Sequence, residues 1–255
     1  MLELDHDLLL VHVASSQAYA QAHVPGAILV TPAELVDGTP PASGRLPDLG
    51  RLTALFRRIG FDFTKKVVAY DDEGGGWAGR FCWTLDVIGK RDWHYLNGGI
   101  QAWLACGRSA RQGNGAVPAP SQVHLTIDTG PIAEIEDVLA AIDDPRQLIW
   151  DVRSDAEYRG ERSGSARAGH IPGAVNTDWM HLKDPAHDMR LIRNLDGLLN
   201  AVGVTAEKQI ITHCQTHHRS GLSYMVARLL GFQSIRAYHG SWSEWGNRAD
   251  LPIET

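Results

Sequence analysis

Gln209-Ile210-Ile211-Thr212-His213-Cys214-Gln215-Thr216-His217-His218-Arg219-Ser220-Gly221 is the stretch that decides the fold. Ile210, Ile211 and Thr212 have the apolar, β-branched character of a short buried strand, and from Ser220 onward Leu222, Met225, Val226, Leu229 and Leu230 recur at helical spacing. Cys214 therefore falls on a tight turn between a strand and a helix. The unpaired N–H groups of a helix start add positive potential at such a turn, and the backbone must curl its N–H groups toward the sulfur. A thiolate is the reactive form of cysteine, and a helix start with nearby His and Arg pulls its pKa below the free value of about 8.5. Cys214 reads as a nucleophile beside a preformed anion pocket. The competing reading is a small core residue, and the five polar residues that follow Cys214 in succession count against it.

Working outward, 255 residues at 44% hydrophobic and 21% charged suffice for one large or two modest cores. The net charge of -6 leaves no basic footprint for nucleic acid, and no apolar stretch approaches a membrane span. The opening residues 1–7 lack the basic region of a secretory leader. Cys82, Cys106 and Cys214 make an odd number without paired spacing, so a reducing cytoplasm is the expected location.

The chain repeats itself. His23-Val24-Pro25-Gly26-Ala27 recurs as His170-Ile171-Pro172-Gly173-Ala174, Val11-His12-Val13-Ala14-Ser15 lines up with Trp150-Asp151-Val152-Arg153-Ser154, and Asn97-Gly98-Gly99 with Trp103 matches His239-Gly240-Ser241 with Trp245. Three landmarks in one order imply a duplicated domain, the second copy carrying extra loop over residues 160–169. The first copy alternates expected strands at 8–13, 27–30, 66–70 and 93–96 with expected helices at 49–59, 78–88 and 100–105. The second shows a helix at 132–142, a strand at 147–152 and a helix at 195–202 before the Cys214 strand. Alternation of this kind predicts an α/β fold, in which each copy is an open, mainly parallel sheet with helices on both faces. Ligands of such sheets bind beyond the C-terminal strand ends, where Cys214 stands. Residues 107–120 are polar, Gly- and Pro-rich and without periodicity, which reads as a linker. The expected division is thus 1–106, a linker over 107–122, and 123–255.

Spacing carried back from the second copy puts Asp72 where Cys214 stands, in the loop Asp71-Asp72-Glu73-Gly74-Gly75-Gly76. Without a thiol the first copy cannot perform thiolate chemistry, and this acidic loop reads as structural, with a metal or second catalytic site as the other reading. Cys82 lies within an apolar helix and reads as core; Cys106 has no visible role. Asp151 and Arg153, at the end of a central strand, read as an ion pair bracing the loop, with ligand positioning as the alternative. His170 begins a turn that both copies share, which points to a structural role. Trp242 and Trp245 read as core or as pocket wall.

With these features in place, the tandem repeat, the His-(Val/Ile)-Pro-Gly-Ala turn, the Asp151-Val152-Arg153-Ser154 strand end, the Glu157-Tyr158 pair and the Cys214 loop together resemble the two-domain rhodaneses, thiosulfate:cyanide sulfurtransferases. The likeness covers nearly the whole chain, and Cys214-Gln215-Thr216-His217-His218-Arg219-Ser220 is most similar to the bacterial enzymes. The resemblance implies a catalytically silent N-terminal copy and a C-terminal copy in which Cys214 takes the outer sulfur of a donor such as thiosulfate and hands it from a persulfide to cyanide or a thiol. It implies no cofactor and no metal. Backbone N–H groups from Gln215 to Arg219 would stabilise the anionic donor and the developing negative sulfur, so Gln215, Thr216, His217, His218, Arg219 and Ser220 form the expected substrate-binding set. Arg219 is expected to order the loop or support the anion field, because its guanidinium stays charged. His217 and His218 read either as steering groups for an anionic donor or as polar loop residues. Vertebrate rhodaneses carry Arg and Lys after the cysteine, where Gln215 and Thr216 stand here, and a substrate-binding arginine where Glu157 stands.

Two other functions fit the same residues. A sulfur relay would deliver the persulfide sulfur to a protein partner. A cysteine phosphatase would use a longer loop than the four residues that separate Cys214 from Arg219, since a tetrahedral phosphate needs room for three oxygens. The Cys-X2-His spacing of Cys214 and His217 is also a fragment of a metal-ligand pattern, short of a full set.

Overall fold

The computed structural model describes residues 7–115 and 117–255, which form two parallel sheets and one short hairpin. Residues 1–6, within the stretch read for a leader and the first expected domain, and Ala116 in the expected linker lie outside the described residues.

The first sheet comprises β1 (Leu8–Val13), β2 (Ile28–Val30), β3 (Lys66–Asp71) and β4 (Trp93–Tyr95) in the order β2-β1-β3-β4, every neighbouring pair parallel. Helices α1 (Ser16–Gln21), α2 (Leu49–Arg58), α3 (Gly76–Val87) and α4 (Gly99–Ala105) connect them. Val11, Val13, Val67 and Ala69 of the two inner strands are wholly buried, as in a parallel sheet whose crossover helices cover both faces. In α2 the Asp48 side chain caps the start by accepting from the Arg51 N–H, and Leu52, Leu55 and Phe56 turn to the core.

The second sheet has β5 (Ile132–Ala133), β6 (Gln147–Asp151), β7 (Val175–Asn176), β10 (Gln209–His213) and β11 (Ile235–Tyr238) in the order β5-β11-β10-β6-β7, again parallel throughout. Between β7 and β10 an antiparallel hairpin joins β8 (Lys183–Asp184) to β9 (Arg190–Leu191). The helices are α5 (Ile135–Ile142), α6 (Asp155–Tyr158), α7 (Leu195–Ala201), α8 (Arg219–Leu229) and α9 (Ser241–Trp245). The helix expected over 132–142 divides: Ile132 and Ala133 pair with β11 as an edge strand, and α5 starts only after Glu134, whose backbone N–H is bonded by the Asp137 side chain. Apolar spacing alone could not separate a two-residue strand from the helix behind it. The remaining expected elements differ from the observed ones by one or two residues at their ends.

The described residues of 107–122 contain no helix or strand, and they are fastened to the first unit by reciprocal His23–Arg111 backbone bonds of 2.8 and 2.9 Å and by Ser121 N–H to the Arg57 carbonyl. The chain stays on that unit through Val123, whose carbonyl accepts from Arg57 Nε, and Asp128, whose N–H reaches the Val87 carbonyl at 2.7 Å.

The two units share one core. Helices α3 and α8 each follow the strand that ends in the repeated loop, and both are buried almost all round because they pack on each other. They cross backbone to backbone: a Cβ on Gly79 would lie 2.3 Å from the Gly221 carbonyl oxygen, and one on Gly221 would lie 2.5 Å from the Arg80 nitrogen. Near the other end of the crossing, buried Asp86 of α3 accepts from Tyr224 Oη at 2.8 Å and Arg228 Nε at 2.9 Å of α8. A side chain at the crossing must push the helices apart, so Gly221→Val should cost about 2 kcal/mol or more. Urea unfolding checks this, an unchanged midpoint being inconsistent with the crossing.

Candidate active site

Strand β10 lies inside its sheet between β11 and β6, and its C-terminal end delivers Cys214 onto a five-residue loop, 214–218, before α8 begins at Arg219. The loop is held from the side by the start of α9. The Trp242 N–H donates to the Cys214 carbonyl and the Ser243 N–H to the Gln215 carbonyl, each at 2.9 Å, while the Cys214 N–H reaches Ser241 Oγ at 3.4 Å. With both carbonyls engaged, the loop cannot relax away from its turn. The N–H groups of Gln215, Thr216, His217 and His218 meet no acceptor among the described residues.

Cys214 is completely buried. Burial opposes ionisation, but the Arg219 charge, the Ser220 hydroxyl and backbone N–H, and the His218 ring outweigh it and hold the thiol below its ordinary pKa. Ser220 Oγ donates to the sulfur at 3.5 Å, and His217 Nδ1 lies 2.8 Å from the same hydroxyl.

The expected substrate-binding residues separate into different tasks. Arg219 forms a two-pronged ion pair with Glu157, at 2.7 and 2.8 Å, which raises its pKa against the effect of burial. Gln215 donates through Nε2 to Ser165 Oγ of the inserted loop at 3.1 Å. Thr216 presents its carbonyl to the first unit, where a Cβ on Gly44 would come within 2.0 Å of it. His217 has a left-handed backbone, φ 56°, and turns its buried ring edge-on to Trp83 at 4.5 Å. Burial first, then the Arg80 charge, push its pKa far down, so the ring is neutral and lies between Trp83 and the Ser220 hydroxyl. His218 stacks on Trp77 at 4.5 Å and bonds the Glu73 carboxylate, both in the first unit. Since the two rings diverge, the Cys-X2-His spacing gathers no ligand set, and among the described residues no three metal-ligating side chains converge.

Asp151 and Arg153 form a fully buried pair, Nη2 to Oδ2 at 2.5 Å and Nε to both oxygens at 3.0 Å. Arg153 also donates to the Gly169 carbonyl at 2.9 Å and lies 4.2 Å from the Trp242 ring centroid, so the pair fixes both the inserted loop and the residue that holds Cys214. Burial works against the Asp151 charge, yet the His213 ring and Arg153 keep its pKa low. Trp242 and Trp245 are core residues, and His170 is stacked on Tyr158 in its turn.

Two participants escaped sequence reasoning. Ser241 is the first residue of α9, and the only signal was its place in the repeated Gly-containing turn. Arg162 lies on the inserted loop, 3.5 Å from Glu157 and bonded to Ser154 Oγ at 2.8 Å, and with Glu157, Ser163, Gly164 and Arg219 it lines a cavity of about 320 Å³.

The first unit carries the same loop with a different occupant. Strand β3 ends at Asp71, whose carboxylate accepts from the N–H groups of Glu73, Gly74, Gly75 and Ala78 at 2.8–3.2 Å. Burial, then Glu73, raise its pKa to about 6 against those bonds. The pocket that the turn creates is filled by the chain's own acid.

Comparison with known proteins bears on this arrangement. The profile of the Rhodanese-like domain matches residues 2–106 and again 134–248. The chain is 46% identical over 250 residues to a thiosulfate sulfurtransferase of Azotobacter vinelandii, covering 97% of this chain and 91% of that protein. It is 45% identical to a thiosulfate sulfurtransferase of Pseudomonas aeruginosa over the same shares. It is 32% identical to the sulfur carrier protein TtuD of Thermus thermophilus, covering 99% and 90%. Among solved structures, the crystal structure of YnjE superposes with a TM-score of 0.88 at 22% identity, covering 98% of this chain and 63% of that longer one.

The electrostatics carry a direct consequence for reactivity. Alkylation of Cys214 should show a pH midpoint below that of a free thiol. Arg219→Leu should raise it by about one unit or more, slowing alkylation tenfold or more at neutral pH, because removing the cation favours the protonated thiol. An unmoved midpoint would show that Arg219 does not stabilise the thiolate.

Proposed function

The chain belongs to the rhodanese-like family, whose domain it carries twice, and from that premise we propose that it transfers sulfur through a persulfide on Cys214. It is a thiosulfate sulfurtransferase acting on small sulfur compounds. The observation that carries the assignment of the site is a buried thiol, at the end of an inner parallel strand, held below its ordinary pKa despite burial.

In the first step the Cys214 thiolate attacks the outer sulfur of thiosulfate; the sulfur–sulfur bond breaks and sulfite leaves with the electron pair. In the second step cyanide or a thiolate attacks the outer persulfide sulfur and the Cys214 thiolate leaves. Both steps move negative charge between sulfur atoms, and fixed donors that need no reorganisation lower such barriers. Ser220 donates to the sulfur, Arg219 supplies charge to the site while Glu157 keeps its guanidinium oriented, and the unengaged N–H groups of residues 215–218 receive the anion. Arg162, at the cavity beside Arg219, meets the sulfonate end of the donor. Asp151 and Arg153 act at one remove by bracing the loop. Arg219 is committed to Glu157, which disfavours the phosphatase reading, since phosphate oxygens would need that guanidinium.

We assign residues 1–106 to a unit that is catalytically silent, because Asp72 stands where the thiol would be, 107–122 to a linker and 123–255 to the catalytic unit, whose opening stretch through Asp128 still packs on the silent one. A protein acceptor for the persulfide, the relay reading, is supported by the likeness to a protein named as a sulfur carrier. A cytoplasmic site of action is supported by three free cysteines; among the described residues no helix is long and apolar enough to cross a membrane.

Intact mass after incubation with thiosulfate tests the mechanism. The wild type should gain one sulfur atom and lose it to cyanide with release of thiocyanate. Cys214→Ser should keep the fold and gain nothing, so turnover in that variant would refute the assignment.

A further inference from the structure

Arg80 lies in α3, in the unit that lacks the thiol, and is fully buried. Its guanidinium donates only to carbonyl oxygens, those of Leu35 at 2.6 Å, Gly44 at 2.7 Å and Arg45 at 3.3 Å. It lies 4.6 Å from the Trp83 ring centroid, and its Nε has no acceptor among the described residues. Among the described residues no carboxylate pairs with it. The other fully buried guanidinium, that of Arg153, is neutralised by Asp151. A buried cation without a counter-ion is costly, so its retention calls for a negative charge elsewhere.

Two of the groups that Arg80 touches lean on the Cys214 loop. Gly44, whose carbonyl it fixes, approaches the Thr216 carbonyl so closely that a Cβ would lie 2.0 Å from that oxygen. Trp83, over which the charge sits, meets the His217 ring edge-on. His217 contacts Ser220, and Ser220 donates to the sulfur.

We propose that Arg80 is a positioning residue for the sulfur site of the opposite unit, fastening residues 44–45 against the Cys214 loop and setting behind it a fixed positive charge whose counter-charge is the anionic sulfur. The proposal rests on Cys214 being the reacting sulfur. The other guanidinium groups around that sulfur are already matched, Arg219 by Glu157 and Arg153 by Asp151, and the Glu73 carboxylate is taken up by the His218 ring. Among the described residues, Arg80 is the guanidinium there that no carboxylate matches. Burial pushes its pKa down to about 9, and the Cys214 charge acts in the opposite direction.

The pH midpoint of Cys214 alkylation, read in Arg80→Met and Arg80→Lys beside the wild type, tests this. Loss of the charge should raise the midpoint by about one unit, a tenfold slower reaction at neutral pH, while Lys should restore most of it. A folded Arg80→Met protein with the wild-type midpoint overturns the proposal, as does a Lys variant shifted as far as Met, which would assign the effect to shape alone. A second measurement needs no Arg80 variant. The ¹⁵N resonances of the Arg80 guanidinium in the wild type should follow Cys214 ionisation and stay flat in Cys214→Ser; failure to follow it overturns the proposal even where Arg80→Met does not fold. Alkylation requires no sulfur transfer. An Arg80-dependent midpoint without persulfide formation would therefore refute the sulfurtransferase chemistry and leave the Arg80 coupling standing.

Discussion

The close crossing of α3 and α8 constrains the rest of the molecule. Only glycine at 79 and 221 lets the two backbones approach this closely, and that approach removes both helices from water. Each helix begins immediately after a repeated loop, so the crossing brings the two loops together as well. His218 can then reach Glu73, and the strap at Gly44 can lie on Thr216. The Cys214 loop is consequently built from both units, although only one supplies the sulfur.

The two loops solve one electrostatic problem in different ways. A strand-to-helix turn in a parallel sheet concentrates N–H groups and must place something negative, or water, among them. In the first unit Asp71 fills the space permanently and takes four N–H groups. In the second unit the residue at the end of the strand is His213, which contacts Asp151 on the neighbouring strand instead, and the N–H groups of residues 215–218 stay without an acceptor among the described residues. The silence proposed for the first unit would thus have two causes, the missing thiol at Asp72 and an anion site already occupied.

Much of this was legible in the sequence because the signals were local or repeated. The apolar run before Cys214 and the helical spacing after it gave the turn; the three repeated landmarks gave two units and placed Asp72 opposite Cys214. Asp151 and Arg153 could be paired because two residues on one strand end share a face. The tasks of His217, His218 and Arg219 could not be read the same way. Each is decided by a partner distant in the chain, Trp83, Glu73 and Glu157 respectively, and nothing in the spacing of the loop says which side chain will meet it. Ile132 and Ala133 escaped for a similar reason, since a two-residue edge strand is defined by β11 rather than by its own pattern.

The proton arrangement at the sulfur follows from counting donors. The Ser220 hydroxyl has one proton, and directing it to Cys214 leaves the oxygen as acceptor for His217 Nδ1. His217 must then carry its proton on Nδ1, with Nε2 bare and, as found, without a partner. A protonated His217 would also donate from Nδ1, but it would put a second buried cation beside Arg80. Burial and the Arg80 charge exclude that state, so the ring holds one tautomer and the hydroxyl one direction. Arg219 then acts on the sulfur through its charge while Ser220 acts through its proton, and neither has to move when the sulfur becomes negative.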